Sequence, residues 1–303
     1  MRQDIVVVGS ANMDLVAKTA SFPKPGETVF AGDFAMYPGG KGANQAVCCA
    51  RLGGNVQFVG MMGADIFRDK LVASLRAAGV KLDHLMYNDE EPTGTALILV
   101  DDAGENEIVV VSGSNMALRP DALGGLRDVI SKAAVLLMQL EIPLETVIAA
   151  VEIASTDGTT VILNPAPAAK LPESLLRKID FLTPNETEAE LLTGIRVADI
   201  ATAERAARYL RDMGVANVVI TLGNRGCLWL SDGKSRIFPA TRVRAIDTTA
   251  AGDAFNGALA YSLAKGETAE ASFEFANTVA AYAVTKMGTQ SSMPTLEEIS
   301  CWR

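Results

Sequence analysis

Short apolar, β-branched runs recur along this chain with helical patterns between them, and that rhythm leaves few folds open. Ile5 to Gly9 precedes a helical stretch over Ala43 to Leu52, and Val56 to Gly60 precedes one over Ile66 to Ala78. The alternation resumes with Ala134 to Leu140, a helix over Leu144 to Ala154, Thr160 to Asn164, Phe181 to Pro184, a helix over Ala201 to Met213, and Asn217 to Gly223. Runs such as Val135-Leu136-Leu137-Met138 and Val218-Val219-Ile220 are apolar on both faces, so each strand must be covered by helices on two sides. The fold class expected is a three-layer α/β/α domain around a mostly parallel sheet. Two Ala-rich stretches, Asp253 to Ala264 and Ala269 to Lys286, are apolar nearly all round and read as buried helices.

Two places break the rhythm. Leu15 to Phe34 is irregular, and Thr95 to Asp101 and Glu107 to Ser112 flank the turn Asp102-Ala103-Gly104-Glu105-Asn106, the pattern of a hairpin. These pieces read as a small antiparallel sheet appended to the main one, within segments of about 11–38 and 93–114 of one domain over 1–303. A lid over an active site and a plain edge extension both fit.

Composition bounds the function. Hydrophobic residues make up 49% and charged residues 21%, enough apolar side chain for a sizeable core. A formal charge of -9 repels phosphate backbones and anionic lipid, so neither nucleic acid nor membrane is an expected partner. No apolar run approaches the roughly 20 residues of a membrane span, and Ile5 to Val8 runs straight into Gly9-Ser10-Ala11-Asn12 without a secretory pattern, so a cytoplasmic location is expected. The four cysteines fit neither a disulfide framework nor a metal spacing and read as small buried side chains. His84 is the single histidine, which disfavours Ser-His-Asp hydrolases and histidine-rich zinc sites; it reads as a surface residue following a helix.

Two familiar nucleotide motifs are missing. Gly40-Lys41 is followed by Gly42, and Gly233-Lys234-Ser235 has Leu228 where a P-loop needs its first glycine. The first strand leads into Gly9-Ser10-Ala11-Asn12-Met13-Asp14, not the dinucleotide fingerprint, which disfavours a dehydrogenase. What remains is Asp247-Thr248-Thr249-Ala250-Ala251-Gly252-Asp253-Ala254-Phe255, a small-residue turn opening a buried helix. Free N–H groups from Ala251, Gly252 and Asp253 at that N-terminus suit a transferring phosphoryl group, and Asp253 beside them suits a general base. An ordinary N-terminal helix carboxylate is the plainer alternative.

A second cluster, Gly39-Gly40-Lys41-Gly42-Ala43-Asn44-Gln45, also opens a helix, and its bare backbone leaves Lys41 and Asn44 free to hydrogen-bond a small polar ligand. Other polar residues fall near strand ends: Asn12 and Asp14, Glu141, Asn185 and Glu188, and Thr221 with Gly223. Ligands of an open parallel sheet bind beyond the carboxyl ends of its strands, so these groups have a route to one cleft. Asn12 and Asp14, two apart, share a face if extended, and that pair suits a polyol.

With the segments GGKGANQA (39–46) and DTTAAGDAF (247–255), and with GSANMD near the start and GTQSSMP near the end, the chain resembles the ribokinase-like (PfkB-type) carbohydrate kinase family. The resemblance spans essentially the whole chain. It implies a sugar kinase that uses ATP and Mg2+, activated by a monovalent cation such as K+, with D-ribose as the leading substrate. Kinases of 2-deoxyribose, fructose or nucleosides are the near alternatives, and a non-catalytic sugar-binding regulator the alternative from another class. It implies sugar contacts at Asn12, Asp14, Gly40, Lys41, Asn44 and Glu141, the base at Asp253, and the anion hole at Ala251, Gly252 and Asp253. ATP contacts are implied at Asn185, Thr221, Gly223, Asn224, Gly226, Gly252 and Asn277, with Asn185 and Glu188 tied to magnesium and phosphate. The monovalent cation is implied at Asp247, Thr249, Ala283, Lys286, Gly288 and Ser292, several through main-chain oxygens. The small sheet becomes a lid, and the contact of a homodimer.

Overall fold

The computed structural model describes residues 2–302. Its strands are β1 (Asp4–Val8), β2 (Asn12–Thr19), β3 (Ala31–Gly39), β4 (Asn55–Gly63), β5 (Lys81–Asn88), β6 (Gly94–Val100), β7 (Asn106–Val111), β8 (Val135–Met138), β9 (Thr160–Leu163), β10 (Phe181–Leu182), β11 (Asn217–Thr221), β12 (Cys227–Ser231) and β13 (Lys234–Phe238). Its helices are α1 (Lys41–Arg51), α2 (Ile66–Ala77), α3 (Arg127–Ser131), α4 (Leu144–Ala154), α5 (Glu173–Leu176), α6 (Glu186–Thr193), α7 (Ile200–Asp212), α8 (Ala251–Ala264), α9 (Ala269–Ala283) and α10 (Leu296–Cys301).

Nine strands form one sheet in the order β13-β12-β11-β10-β9-β8-β1-β4-β5, parallel from β11 to β5 and antiparallel only at the β11-β12-β13 end. The apolar runs behave as their composition requires. Ile5 and Val7 of β1 face the core built with α1, α2, α8 and α9, while Val6 and Val8 face the core built with α3 to α7. Among the described residues no helix is long and apolar enough to cross a membrane.

Four strands form a second sheet in the order β3-β2-β6-β7. The pairs β2-β3 and β6-β7 are antiparallel, and the inner strands β2 and β6 run parallel, so two hairpin-like units are joined side by side. Asn12 sits between Gly39 and Gly94 in register, which places the start of β2 at the boundary of the two sheets.

Three readings need correction. His84 lies in β5, paired with Val59 and half-buried; the KLDHLMYN pattern mixes charge with apolar side chains and hides an edge strand. The β12-β13 hairpin, which follows β11 after a short turn, has no counterpart in the alternating pattern. Cys48, Cys49 and Cys227 are buried as expected, but Cys301 is exposed.

Candidate active site

The positions expected to contact a sugar begin with glycines that let backbones touch. A Cβ on Gly39 would lie 2.2 Å from Asp14 Oδ2, one on Gly40 2.6 Å from the Asn12 nitrogen, and one on Gly42 2.5 Å from the Ser10 nitrogen. Gly40 also has φ of 86°, a conformation that side chains resist. The glycine run thereby presses the start of α1 against the β1-β2 connection, with Ala43 N–H donating to Ser10 C=O at 2.8 Å. Helix α1 has no side-chain cap and no acidic residue in its first turn. Glu141, just beyond β8, serves there instead: its Oε2 accepts from Ser10 Oγ at 2.5 Å and from Lys41 N–H at 3.1 Å.

Asn12 and Asp14 are both buried on one face of β2. The Asp14 carboxyl is pushed up to about 7, first by burial and then by the charges of Glu141 and Asp253, with Lys41 opposing. Lys41 is the complement. Burial pulls its ammonium down, but Asp253, Glu141, Glu188 and Asp14 outweigh that and raise it above its ordinary value. One lysine thus stands amid four carboxylates drawn from β2, the end of β8, α6 and α8.

Asp253 is buried at the first turn of α8. Its Oδ2 accepts from Asn44 Nδ2 at 2.9 Å and its Oδ1 from Gln45 Nε2 at 2.9 Å. Gln45 is itself fixed: Gln139 donates to its Oε1 at 2.6 Å, and its Nε2 also reaches Asn164 Oδ1 at 3.1 Å. The chain of buried polar groups continues from Asn164 to the Thr183 carbonyl, from Thr183 Oγ1 to Asn256, and from Asn256 back to the Gly252 carbonyl. The residue types at the strand ends explain the closure: Gln139, Asn164 and Thr183 follow β8, β9 and β10, neighbours in the sheet.

At the N-terminus of α8, Ala250 provides no side-chain cap. The Ala251 N–H turns back to the Thr248 carbonyl at 3.2 Å, so it is not the free donor expected. The N–H groups of Gly252 and Asp253 have no acceptor among the described residues. A Cβ added at Gly252 would meet nothing within 4 Å, so the first turn of the helix is open on that side.

Next to this turn lies a cavity of about 600 Å³ lined by Gly223, Asn224, Thr248, Ala251 and Asn277, with the 240–245 segment along one wall; Gly252, also expected at the nucleotide, adjoins the lining residue Ala251 but is not itself part of the lining. Asn277 Nδ2 holds that wall, donating to the Phe238 carbonyl at 3.0 Å. Gly226, expected at the nucleotide, is outside the lining; a Cβ there would lie 2.0 Å from the Phe238 oxygen, so its glycine serves the β12-β13 hairpin. Thr221 and Asn185 are also outside the lining and bridge to each other in parallel. Asn185 and Glu188 form a reciprocal capping box on α6, and burial raises the Glu188 carboxyl despite its bond from the Asn185 N–H.

The positions expected at a monovalent cation come together as two loops. Asp247 Oδ1 accepts from Thr249 N–H at 2.9 Å and its Oδ2 from Gly288 N–H at 2.9 Å, while Ser292 Oγ donates to the Thr289 carbonyl at 2.7 Å. Ala283 C=O accepts from Lys286 N–H at 3.1 Å, and the Lys286 ammonium is drawn off to Glu298 at 2.9 Å. The loops therefore offer oxygen without a competing positive charge, which suits a hard cation. Among the described residues no group of three or more His, Cys, Asp or Glu side chains could hold a metal ion.

Sequence reasoning did not single out Ser10, Gln45, Asn115, Gln139, Asn164 or Asn256. The rule that selected Glu141 and Asn185, a polar residue just past a strand, selects Gln139 and Asn164 equally well.

A family model described as pfkB family carbohydrate kinase matches residues 2–296. The chain is 44% identical to a ribokinase of Haemophilus influenzae, over 98% of this chain and 97% of that one. It is 39% identical to a deoxyribokinase of Salmonella typhi, again over 98% and 97%. The solved structure of Arabidopsis thaliana ribokinase complexed with ribose and ATP superposes with a TM-score of 0.94 at 33% identity, covering 99% of this chain and 98% of that one. With matches of this extent, the chain belongs to the pfkB family of carbohydrate kinases, phosphotransferases that act on a sugar hydroxyl.

Proposed function

We propose that this protein is an ATP-dependent ribose kinase forming D-ribose 5-phosphate, with Asp253 as general base. The observation that carries the reading is the Asp253 carboxylate, gripped by Asn44 and Gln45 beside two free amides, with the Asn12–Asp14–Lys41 pocket on one side and the 600 Å³ cavity on the other. The Arabidopsis relative complexed with ribose and ATP supports a sugar and a nucleotide as the two ligands. Asp253 accepts the proton of the sugar's primary hydroxyl as that oxygen bonds to the γ-phosphorus and the bond to the ADP oxygen breaks in line. The Gly252 and Asp253 N–H groups stabilise the charge on the transferring group, reinforced by the positive end of the α8 dipole. Lys41 offsets the crowding of carboxylates that would otherwise repel the triphosphate.

Asn185 and Glu188 would stand nearest a Mg2+ ion, which would supply charge neutralisation on the triphosphate; a metal that needs few protein ligands agrees with a site that offers no full cage. The Asp247 loops support a K+ site next to the α8 N-terminus, where order in the loop sets the position of the anion hole. A homodimer through the lid is supported by the sheet face opposite Asn12 and Asp14, where Leu15, Phe34, Leu97 and Val109 line an apolar depression of about 400 Å³. The free thiols support a cytoplasmic setting.

2-Deoxyribose is a second reading, favoured by the deoxyribokinase relatives. The test is a panel of pentoses, hexoses and nucleosides with Mg-ATP, with and without K+. Ribose is expected to lead in kcat/KM; a wide lead for 2-deoxyribose or a nucleoside overturns the substrate, and no ATP turnover with any acceptor overturns the kinase.

A further inference from the structure

Asn115 follows the hairpin of the small sheet and touches neither Asp253 nor the large cavity, yet it is 1% exposed and its side chain makes three hydrogen bonds. Its Oδ1 accepts from the Ala11 N–H at 2.9 Å. A backbone N–H can only donate, so the orientation of the Asn115 amide is fixed: the oxygen faces Ala11 and the nitrogen faces away. That nitrogen donates to Asn12 Oδ1 at 2.7 Å and to the Ala11 carbonyl at 3.3 Å. The Asn12 amide is fixed in turn. Its oxygen is occupied by Asn115, so its Nδ2 is the group left over, and that nitrogen is neither hydrogen-bonded nor sealed from solvent among the described residues.

Asn12 and Asp14 share one face of β2, so the pocket presents a donor beside an acceptor. A hydroxyl placed between them accepts from one and donates to the other, with both of its roles satisfied. The arrangement leaves no slack, because a Cβ on Gly94 would lie 2.1 Å from Asn12 Oδ1 and 2.2 Å from Asn115 Nδ2. Ser114 anchors the segment by donating through its backbone to the Pro92 carbonyl at 2.8 Å and through Oγ to the Met61 carbonyl at 3.1 Å.

We infer that Asn115 is a positioning residue for substrate selectivity: it locks the Asn12 side-chain amide with its N–H groups toward the sugar, so that the pocket demands a secondary hydroxyl which a deoxysugar lacks. The inference rests on the sugar-kinase reading above and specifies how that pocket selects. In N115D the carboxylate still accepts from Ala11, but it offers a second acceptor to Asn12, whose amide turns over to donate to it. The sugar then meets two acceptors, and its hydroxyl hydrogen can serve one.

The experiment measures kcat/KM for ribose, 2-deoxyribose and 3-deoxyribose in wild type, N115D, N12A and N12A/N115D, with thermal unfolding of each. The wild type is expected to reject one of the two deoxy analogues, and N115D to shrink that rejection by about tenfold or more, mostly through the KM for ribose. In the N12A background the N115D change is expected to leave selectivity where N12A put it, because Asn115 acts through Asn12. Should N115D not fold, N115A takes its place in the same cycle with a smaller expected loss. Wild-type turnover of ribose with no rejection of either analogue overturns the inference alone. So does an N115D that unfolds at lower temperature with selectivity intact, or one whose loss is the same with and without Asn12. No turnover of any sugar by wild type defeats the function assignment instead.

Discussion

The carboxylate of Asp253 and the side-chain amide of Asn44 meet at 2.9 Å across a sequence separation of 209 residues. Their bond ties the first turn of α8 to the first turn of α1, and so joins the helix proposed to face phosphate to the one proposed to face the sugar. It also leaves Asn44 Oδ1 buried without a partner, a polar atom held in reserve beside the proposed base.

For Asp253→Asn, that spare oxygen matters. Asn44 can turn its amide to accept from the N–H groups that the substitution introduces, so the fold should survive while the base is lost. Turnover is expected to fall by at least about 10²- to 10⁴-fold with ribose affinity changed little. Steady-state rates together with calorimetric titration of ribose check this; a variant with near-wild-type kcat removes Asp253 from its proposed role.

Gly252→Ala separates chemistry from stability. Gly252 does not have positive φ, and its missing Cβ faces open space, so melting temperature should shift little or rise slightly. The added methyl group would crowd a phosphoryl group held at the two amides, and kcat/KM for ATP is expected to drop about tenfold or more. Equal losses in stability and activity would contradict the anion-hole assignment.

Gln45→Leu removes one of the two donors to Asp253 and strands Gln139 Nε2, now without its acceptor. A buried group left unpaired costs about 1–3 kcal/mol, so denaturant unfolding should register a loss of that order. Turnover should fall as well, because a carboxylate released from one side no longer holds its aim.

The pH dependence follows from Asp14. Its carboxyl is raised from an ordinary value of 3.8 to about 7, so its contribution to stability is fully present below about 4 and is lost as pH rises through 7. Sugar hydroxyls that donate to the ionised form pull that value back down. Ribose binding is therefore expected to release a proton near pH 6, to release almost none at pH 8.5, and to tighten as pH rises through 7. Titrations in buffers of different ionisation heat count the proton directly, and Asp14→Asn should abolish the release.

The sheet and its covering helices were legible in the sequence because strands buried on both faces must be apolar throughout, as Val135-Leu136-Leu137-Met138 is. So was the place of Asp253 in the first turn of a buried helix, because the apolar stretch after it has no solvent face. The edge strand β5 escaped notice because a half-solvated strand mixes charge with apolar residues as a helix does. What surrounds Asp253 was another matter. Gln139 and Asn164 share the strand-end position of many surface residues, and only the placement of β8, β9 and β10 beside one another, with Gln45 of α1 over them, brings their amides into a chain.

The amino-acid order by itself determined the periodicities, the glycine runs and the identity of each chemical group. The tertiary structure alone decided which polar groups remain free: that Asn12 spends its oxygen on Asn115, that Asn44 and Gln45 hold Asp253, and that four carboxylates crowd one lysine. Hydrogen bonds and charge interactions act over a few ångströms, and separations of that size between residues a hundred or more positions apart exist only once the sheet has been assembled.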